Sequence, residues 1–470
     1  LPNLEFKFVA ANSLIPLETG GTDQMEFDNK NLQEEMSRIR DRYFNTNSGK
    51  VKEKMKLDYE KLLCSGNTMF KSDRQKKLLT YHPFDSSKSA GFFDPKLMFG
   101  LEGFDVVIGN PPYVSVKKIS VGDKKFFSSI YQSGKGRFNL FTLFLERGHL
   151  LLKESGFLNF ILPEGLFSST EYRHIREYLI KNSTIKLVCL FSKRVFEAAV
   201  DTAVILFKKS KENVPLKIYK DLIASNVQIE QSELSVAPDY LFPVMVGNEG
   251  KKIINKLNKS TDKRFVDFLE VQQGIIYSGK LKSEVFSNEQ LTSQYKKVLD
   301  GRDVFKYYIN WDEKKENRFI KYTRDLHRPR EERIFLAQEK IILPRRSTHL
   351  VCSIDDSQYY LLNTAYIILP KKNEVNLHFI LAILNSKLVD FYYNNLYFGW
   401  QITIPALNSI PILQGDAGQQ QEIEILIDTI LSLKKQNKEA DTKDLESKID
   451  ELVMDLYQLT EEEKEIIRKS

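Results

Sequence analysis

Cysteine is scarce in this chain. Only Cys64, Cys189 and Cys352 occur in 470 residues, too few for a disulfide framework and too far apart for paired-thiol metal binding, a pattern that fits a reducing, cytoplasmic compartment. No apolar run approaches the ~20 residues of a membrane helix and no signal peptide is visible, so no membrane is expected as a partner. The six histidines are scattered, with no His-Glu-x-x-His, and no metal site is expected. A Gly-rich phosphate loop ending in Lys-Ser/Thr is missing too. Gly20-Gly21 and Gly134-Lys135-Gly136 are too sparse to cradle a ligand and read as ordinary turns. Triplets such as Glu313-Lys314-Lys315 lack the strand and upstream acid that a metal-dependent nuclease needs, so strand cleavage is not assigned to this chain. The formal net charge of +6 favours a polyanionic partner only mildly, and local clustering has to carry that argument.

What is present is concentrated at one point. Phe104-Asp105-Val106-Val107-Ile108 is a short apolar, β-branched run that reads as a buried parallel strand, broken by Gly109. Asn110-Pro111-Pro112-Tyr113 therefore falls at the strand's carboxyl end, where open α/β sheets bind ligands. The residue types suit chemistry on an aromatic amine, whose lone pair is delocalised into its ring. The Asn110 side-chain oxygen and the Pro111 carbonyl can accept both N–H groups and draw the nitrogen toward tetrahedral geometry. Pro111 and Pro112 hold those acceptors rigidly, and Tyr113 offers a flat face for an extruded base.

The chain divides at changes of composition. Residues 1–18 read as a strand and its exit loop. Residues 19–84 are highly charged, with Leu32, Met36, Ile39 and Tyr43, then Met55, Tyr59 and Leu62, at helical spacing. Residues 85–213 alternate strands and helices, which predicts a mostly parallel sheet. From 214 to 415 short strands mix with basic and aromatic clusters: Tyr307, Tyr308, Trp311, Phe319 and Tyr322 among lysines, then Arg324, Arg328, Arg330, Arg345 and Arg346, residues of the kind that contact phosphates and guanine edges. In residues 416–470, Ile423, Ile427 and Ile430 and then Leu445, Ile449, Leu452, Val453 and Leu456 predict a helical hairpin, with Thr460 and Glu463 opening a last helix as a capping box.

The segment Phe104–Val114 resembles the catalytic motif of amino-group DNA methyltransferases, most nearly the adenine-specific (N6) methylases of type IIG restriction–modification enzymes. Phe138–Gly148, Gly156–Pro163 and Arg194–Phe207 resemble that family's following helix, strand and closing loop with strand. Ala11-Asn12-Ser13-Leu14-Ile15 resembles its donor-adenine segment, with Ala11 in place of the usual Gly. The resemblance implies an α/β fold: a partial Rossmann-like methyltransferase sheet (1–18 and 85–213) with a helical insertion (19–84), a mixed α/β target-recognition domain (214–415) and the C-terminal helical hairpin (416–470). It implies site-specific methylation of adenine N6 in double-stranded DNA by base flipping. The catalytic residues would be Asn110, Pro111, Pro112, Tyr113 and Phe196, the last packing against the flipped adenine. Asn12, Phe144 and Phe141 would line the donor, S-adenosyl-L-methionine, and Arg324, Arg328, Arg330, Arg345 and Arg346 would serve DNA binding.

In that family the donor's Gly-rich loop precedes the segment at Asn12, and this chain has none. It reads as a C-terminal portion, inactive alone, whose donor site is completed by an upstream part of the same polypeptide or by a partner subunit. The competing class is a non-catalytic DNA-binding or specificity module, and methylation of RNA or protein amides is a third possibility. Asn rather than Ser or Asp at the first motif position favours adenine over cytosine N4. The motifs Leu362–Tyr366 and Ala382–Lys387 are expected to serve folding rather than base readout.

Overall fold

The structure is a computed structural model describing residues 6–17, 23–65, 73–85, 87–193, 195–196, 201–277, 282–372, 374–398 and 401–470, the side chains of 23–30, 65 and 226 excepted. Gly20-Gly21, Arg194 and Glu197–Val200, singled out above, lie outside the described residues. The chain forms two compact units, one of residues 1–166 and 171–240, the other of residues 167–170 and 241–470. Both mix helices and sheets, as the α/β reading requires.

The first unit is built on a six-stranded sheet in the order β1-β2-β4-β3-β5-β6. Its strands are β1 (Phe104–Gly109), β2 (Leu152–Pro163), β3 (Thr184–Leu190), β4 (Thr202–Lys208), β5 (Leu216–Lys220) and β6 (Ile223–Ile229). β1 pairs with β2 in parallel, and so does β3 with β5; the other three pairings are antiparallel. The sheet is therefore mixed, not mostly parallel as expected. The connection from β3 to β4 is too short for a crossover, which needs a dozen or more residues, so β4 turns back between β2 and β3. β5 and β6 also belong to this sheet, whereas the composition change near 214 assigned Leu216–Tyr219 to the second domain.

Two further differences concern the start of the unit. Among residues 6–17 there is no strand, only an isolated bridge from Ala11 to Ala90. Helices α1 (Asp23–Phe44) and α2 (Gly49–Ser65) form as the spacing predicts. Their stripe of Leu32, Met36, Tyr43, Met55 and Tyr59 shares a core with Phe6, Tyr81, Phe92 and Met98, so the insertion is packed onto the segment before β1. β1 itself is not buried. Among the described residues it has one strand partner, and Val106 and Ile108 are 54% and 77% exposed. An apolar run signals a strand but not how many neighbours it has.

Helix α3 (Leu140–Leu151) covers the opposite face of β1 and β2. Its Gly148 allows the close approach, since a Cβ there would stand 2.5 Å from Leu158 Cδ1. Beyond β4, Glu212 bridges Lys186 and Lys208, the latter at 2.5 Å, and those two lysines hold its carboxyl down to about 2. A folded pKa below the unfolded one adds stability above roughly pH 4.5 that is lost as pH falls toward 2. Glu212→Gln is expected to flatten the acid limb of the melting curve over that window, which thermal melts between about pH 5 and pH 2 would check.

The second unit has two four-stranded sheets. One runs in the order Ser353–Asp355, Lys340–Pro344, Ala365–Pro370, Leu269–Gln273, all antiparallel. Helix Leu377–Asn385 and the tail helices α4 (Ala417–Gln436), α5 (Lys443–Leu456) and α6 (Glu461–Arg468) complete its core with Ile423, Ile427, Ile430, Ile449 and Val453. Thr460 and Glu463 form the expected capping box, with Thr460 N donating to Glu463 at 2.8 Å. Among the described residues no helix is long and apolar enough to cross a membrane.

Candidate active site

β1 ends at Gly109, and contacts with β2 and with the start of α3 hold Tyr113 and the segment that follows it. Leu140 N donates to Val114 O (2.9 Å) and Val116 N to Phe138 O (3.1 Å), tying the motif's exit to the start of α3. Asn139 caps α3, its side chain accepting from Phe141 N at 3.4 Å. The Tyr113 hydroxyl donates to Ile161 O in β2 at 3.2 Å, and its ring stands edge-to-face against Phe141, centroids 6.2 Å apart. Partial burial raises the Tyr113 pKa, so the phenol stays protonated at neutral pH. Pro111 is buried and Pro112 exposed. Asn110 is exposed, and among the described residues its side chain has no hydrogen-bond partner. The motif thus presents an unpaired amide on a backbone held from both sides.

A groove of about 390 Å3 runs along β1 from this motif, lined by Ser13, Phe93, Val107, Asn110, Phe144 and Arg147 among others. Arg147 organises its wall: Nε donates to Ser13 O (3.0 Å) and Nη2 to Phe93 O (2.8 Å). Burial lowers its pKa, and a guanidinium keeps its charge in proteins. Leu14 O accepts from the Tyr131 hydroxyl at 2.7 Å, and Asn12 Oδ1 closes the turn by accepting from Leu14 N at 3.2 Å. Asn12 is thus next to the groove, its side chain engaged in the turn. Phe144 lies in the groove. Phe141 does not: it is fully buried between Tyr113 and Tyr172, a second layer behind the motif.

The strand directions put Phe196, in the loop from β3 to β4, on the same sheet edge as Asn110, with its ring partly exposed. Glu164, missed in the sequence, shares that edge. It follows β2 directly, and burial, with help from neighbouring Asp201, raises its carboxyl pKa. Arg147 in the groove wall was also overlooked, because a helical Arg has no local signal until its carbonyl partners at positions 13 and 93 are known.

In the second unit Arg324, Arg328 and Arg346 are exposed. Arg330 donates to Gly274 O (3.1 Å) and Gln273 Oε1 (3.2 Å), and Arg345 donates to Asn363 O (2.7 Å) while its guanidinium lies over the Tyr366 ring. Burial and then the charges of Arg328 and Arg345 lower the Arg330 pKa, which puts these three cations in one neighbourhood. Much of the aromatic-basic cluster is internal packing. Trp311 sits under Lys297 and Arg318, and Arg318 is buried against Asp303 at 2.9 Å. The two motifs assigned to folding make backbone contacts: Thr364 accepts from Gly301 N, and Asn385 brackets Cys352 through both its N–H and its carbonyl.

The Asn-Pro-Pro-Tyr loop on a mixed sheet, followed by a separate basic α/β unit, has counterparts in two known families. Residues 10–196 match the Eco57I restriction-modification methylase family and residues 296–412 the TaqI-like C-terminal specificity domain, so the chain carries an Eco57I-like methylase region and a TaqI-like specificity region. It is 25% identical over 317 residues (62% of this chain, 25% of the relative) to a Methanocaldococcus jannaschii protein described as a type II restriction enzyme and methyltransferase. Over 165 residues (33% and 15%) it is 27% identical to the type II restriction enzyme and methyltransferase RM.Eco57I of Escherichia coli, and over 135 residues (28% and 26%) it is 32% identical to the type II methyltransferase M.HincII of Haemophilus influenzae. The chain therefore spans about a quarter or less of the length of these relatives. The solved type IIL restriction–modification enzyme MmeI, in complex with DNA, shares the fold over 84% of this chain and 64% of its own, with TM-score 0.50 and 11% identity.

Proposed function

We propose that this chain supplies the target-base pocket and the DNA-recognition module of a site-specific DNA adenine-N6 methyltransferase in a restriction–modification system. The observation that carries the reading is Asn110: an unpaired amide at the carboxyl end of β1, beside the Pro111 carbonyl and the Tyr113 ring. An extruded adenine stacks on Tyr113, with Phe196 on the same edge, and that stacking, worth ~1–3 kcal/mol per base, offsets an extrusion cost of a few kcal/mol. Asn110 and Pro111 accept the two amine N–H bonds and stabilise the positive charge that the nitrogen gains as it is alkylated. S-adenosylmethionine supplies an electrophilic methyl group when bound. The groove's aromatic lining, Phe144 included, fits the flat face of its adenine. No carboxylate lines the groove among the described residues, so its ribose and amino-acid end would be held by an upstream part of the polypeptide or by a partner subunit. The exposed Val106 and Ile108 on the open edge of β1 support the same division. Exposed Arg324, Arg328 and Arg346 would carry guanidinium groups to duplex DNA, while Arg330 and Arg345 support them.

The test is to incubate this chain, and separately the longest product of its gene, with S-adenosylmethionine and unmethylated plasmid DNA, then to digest the DNA and quantify methylated nucleosides by mass spectrometry. N6-methyladenine from the longer product alone is the expected result. N4-methylcytosine, or no methylation by either, would sink the adenine assignment. The missing carboxylate favours one alternative, a recognition module that binds DNA without modifying it.

A further inference from the structure

The turn between β5 and β6 is made of the wrong residues for its shape. Lys220 pairs with Ile223, which leaves Asp221 and Leu222 as a two-residue loop with φ of 49° and 66°. Positive φ at both positions defines a type I′ turn, which favours Asn, Asp or Gly. Asp221 suits it. Leu222 does not, because left-handed backbone crowds its Cβ against the following carbonyl. Nothing in the packing offsets that, since Leu222 is 76% exposed and Ile223 74%. Backbone strain that holds apolar side chains in solvent is an outlier that calls for a functional explanation.

The position of the turn supplies one. β1, β2, β3 and β5 all point the same way, so the tip after β5 lies on the edge that carries Asn110 and Phe196. It is also locked to the segment leading to Phe196: Asp221 N donates to Leu190 O and Ser192 N to Asp221 Oδ1, both at 2.8 Å. Hydrogen bonding from Ser192 keeps the Asp221 carboxyl below its usual range, and the charges of Lys220 and Lys193 add to that, so two exposed lysines flank the tip. In sheet order β5 stands four strand spacings from β1, roughly 19 Å at about 4.8 Å each. Along a duplex lying on that edge this is about six base-pair steps of ~3.4 Å.

We propose that the Leu222–Ile223 tip is a second DNA contact of the first unit, an apolar finger flanked by Lys193 and Lys220 that seats in the groove of the target duplex several base pairs from the base being modified. This rests on the proposed function, since the tip shares an edge with the target-base pocket. Apolar side chains inserted at base steps and lysines on the neighbouring phosphates are the chemistry by which proteins grip a duplex without reading its sequence. The tip therefore acts on substrate binding and leaves the methyl-transfer step alone.

The experiment uses the full-length protein as wild type, L222G, L222N and L222M, with unmethylated plasmid DNA and radiolabelled S-adenosylmethionine. L222G and L222N fit the turn, so their melting midpoints should equal or exceed that of wild type. Both should raise the KM for DNA about tenfold at unchanged kcat, and L222M should stay near wild type. DNA KM values for L222G and L222N within twofold of wild type overturn the contact. If the tip instead holds another protein chain, the variants keep their DNA KM and lose a wild-type self-association in sedimentation, which also overturns it. If wild type methylates nothing, the adenine-transfer reading falls, and affinity for a mixed-sequence duplex decides the tip separately: equal affinities across the four proteins reject it, and weaker binding by L222G and L222N alone upholds it.

Discussion

Asn110→Ala is expected to lower single-turnover methyl transfer to DNA by about 10²–10³-fold, the usual cost of removing one preorganised polar group aimed at developing charge. The argument rests on what Asn110 does not do. Its side chain is exposed and bonds to nothing among the described residues, so its loss should leave the melting midpoint and DNA affinity near wild type. A structural asparagine would behave in the opposite way, costing stability first and rate second. The discriminating measurement is the single-turnover rate on saturating DNA beside a thermal melt of the same preparation. A rate within about threefold of wild type would falsify the assignment of Asn110 to the amine.

The second large effect is on stability. Lys340→Met is expected to destabilise the second unit by roughly 3–5 kcal/mol, because it strips one partner from a buried ion pair. Lys340 and Asp355 are fully buried and 2.7 Å apart. Lys340 also donates to Phe335 O (2.7 Å), and Asp355 accepts from Ser357 N (2.8 Å) and Tyr359 N (3.0 Å). Burial lowers the lysine pKa and raises the aspartate pKa, each opposed by the partner's charge. With the lysine gone, the Asp355 carboxyl rises further. A folded pKa above the unfolded one favours the folded state below about pH 4 and is lost as pH climbs through the folded value. The deficit of Lys340→Met should therefore shrink in acid, and urea melts at about pH 4 and pH 7 would show it. A deficit that grows in acid would contradict the pairing.

The legibility of this chain in its sequence depends on the range of each signal. β1 and its motif were readable because a β-branched run, a glycine and two prolines are local. So were the tail helices, whose stripes repeat within one element. The edge position of β1 was not readable, since Val106 and Ile108 look the same whether one strand or two flank them. The sheet's mixed directions depend on a connection length whose meaning appears only once β2, β3 and β4 are neighbours. At the site, Asn110 and Tyr113 stand out from residue type alone, while Phe141, expected in the donor groove, lies one layer behind it: residues 141 and 144 sit on one helix, and only the packing of Tyr172 decides which ring is covered. Arg330 and Arg345 resemble Arg324 and Arg328 in sequence, and only Gly274, Gln273 and Asn363 make them different.

The joint core of the second unit bears on how its specificity can be exchanged. The region that matches the specificity domain stops at residue 412, yet Ile341, Leu343 and Ile368 within it pack in one cluster with Ile423, Ile427, Ile430, Ile449 and Val453 beyond it. A graft cut at that boundary would leave a half-walled core with its apolar side open to water. Chimeras that trade recognition between relatives should carry residues 241–470 as one cassette, with the tail helices travelling alongside the strands they cover.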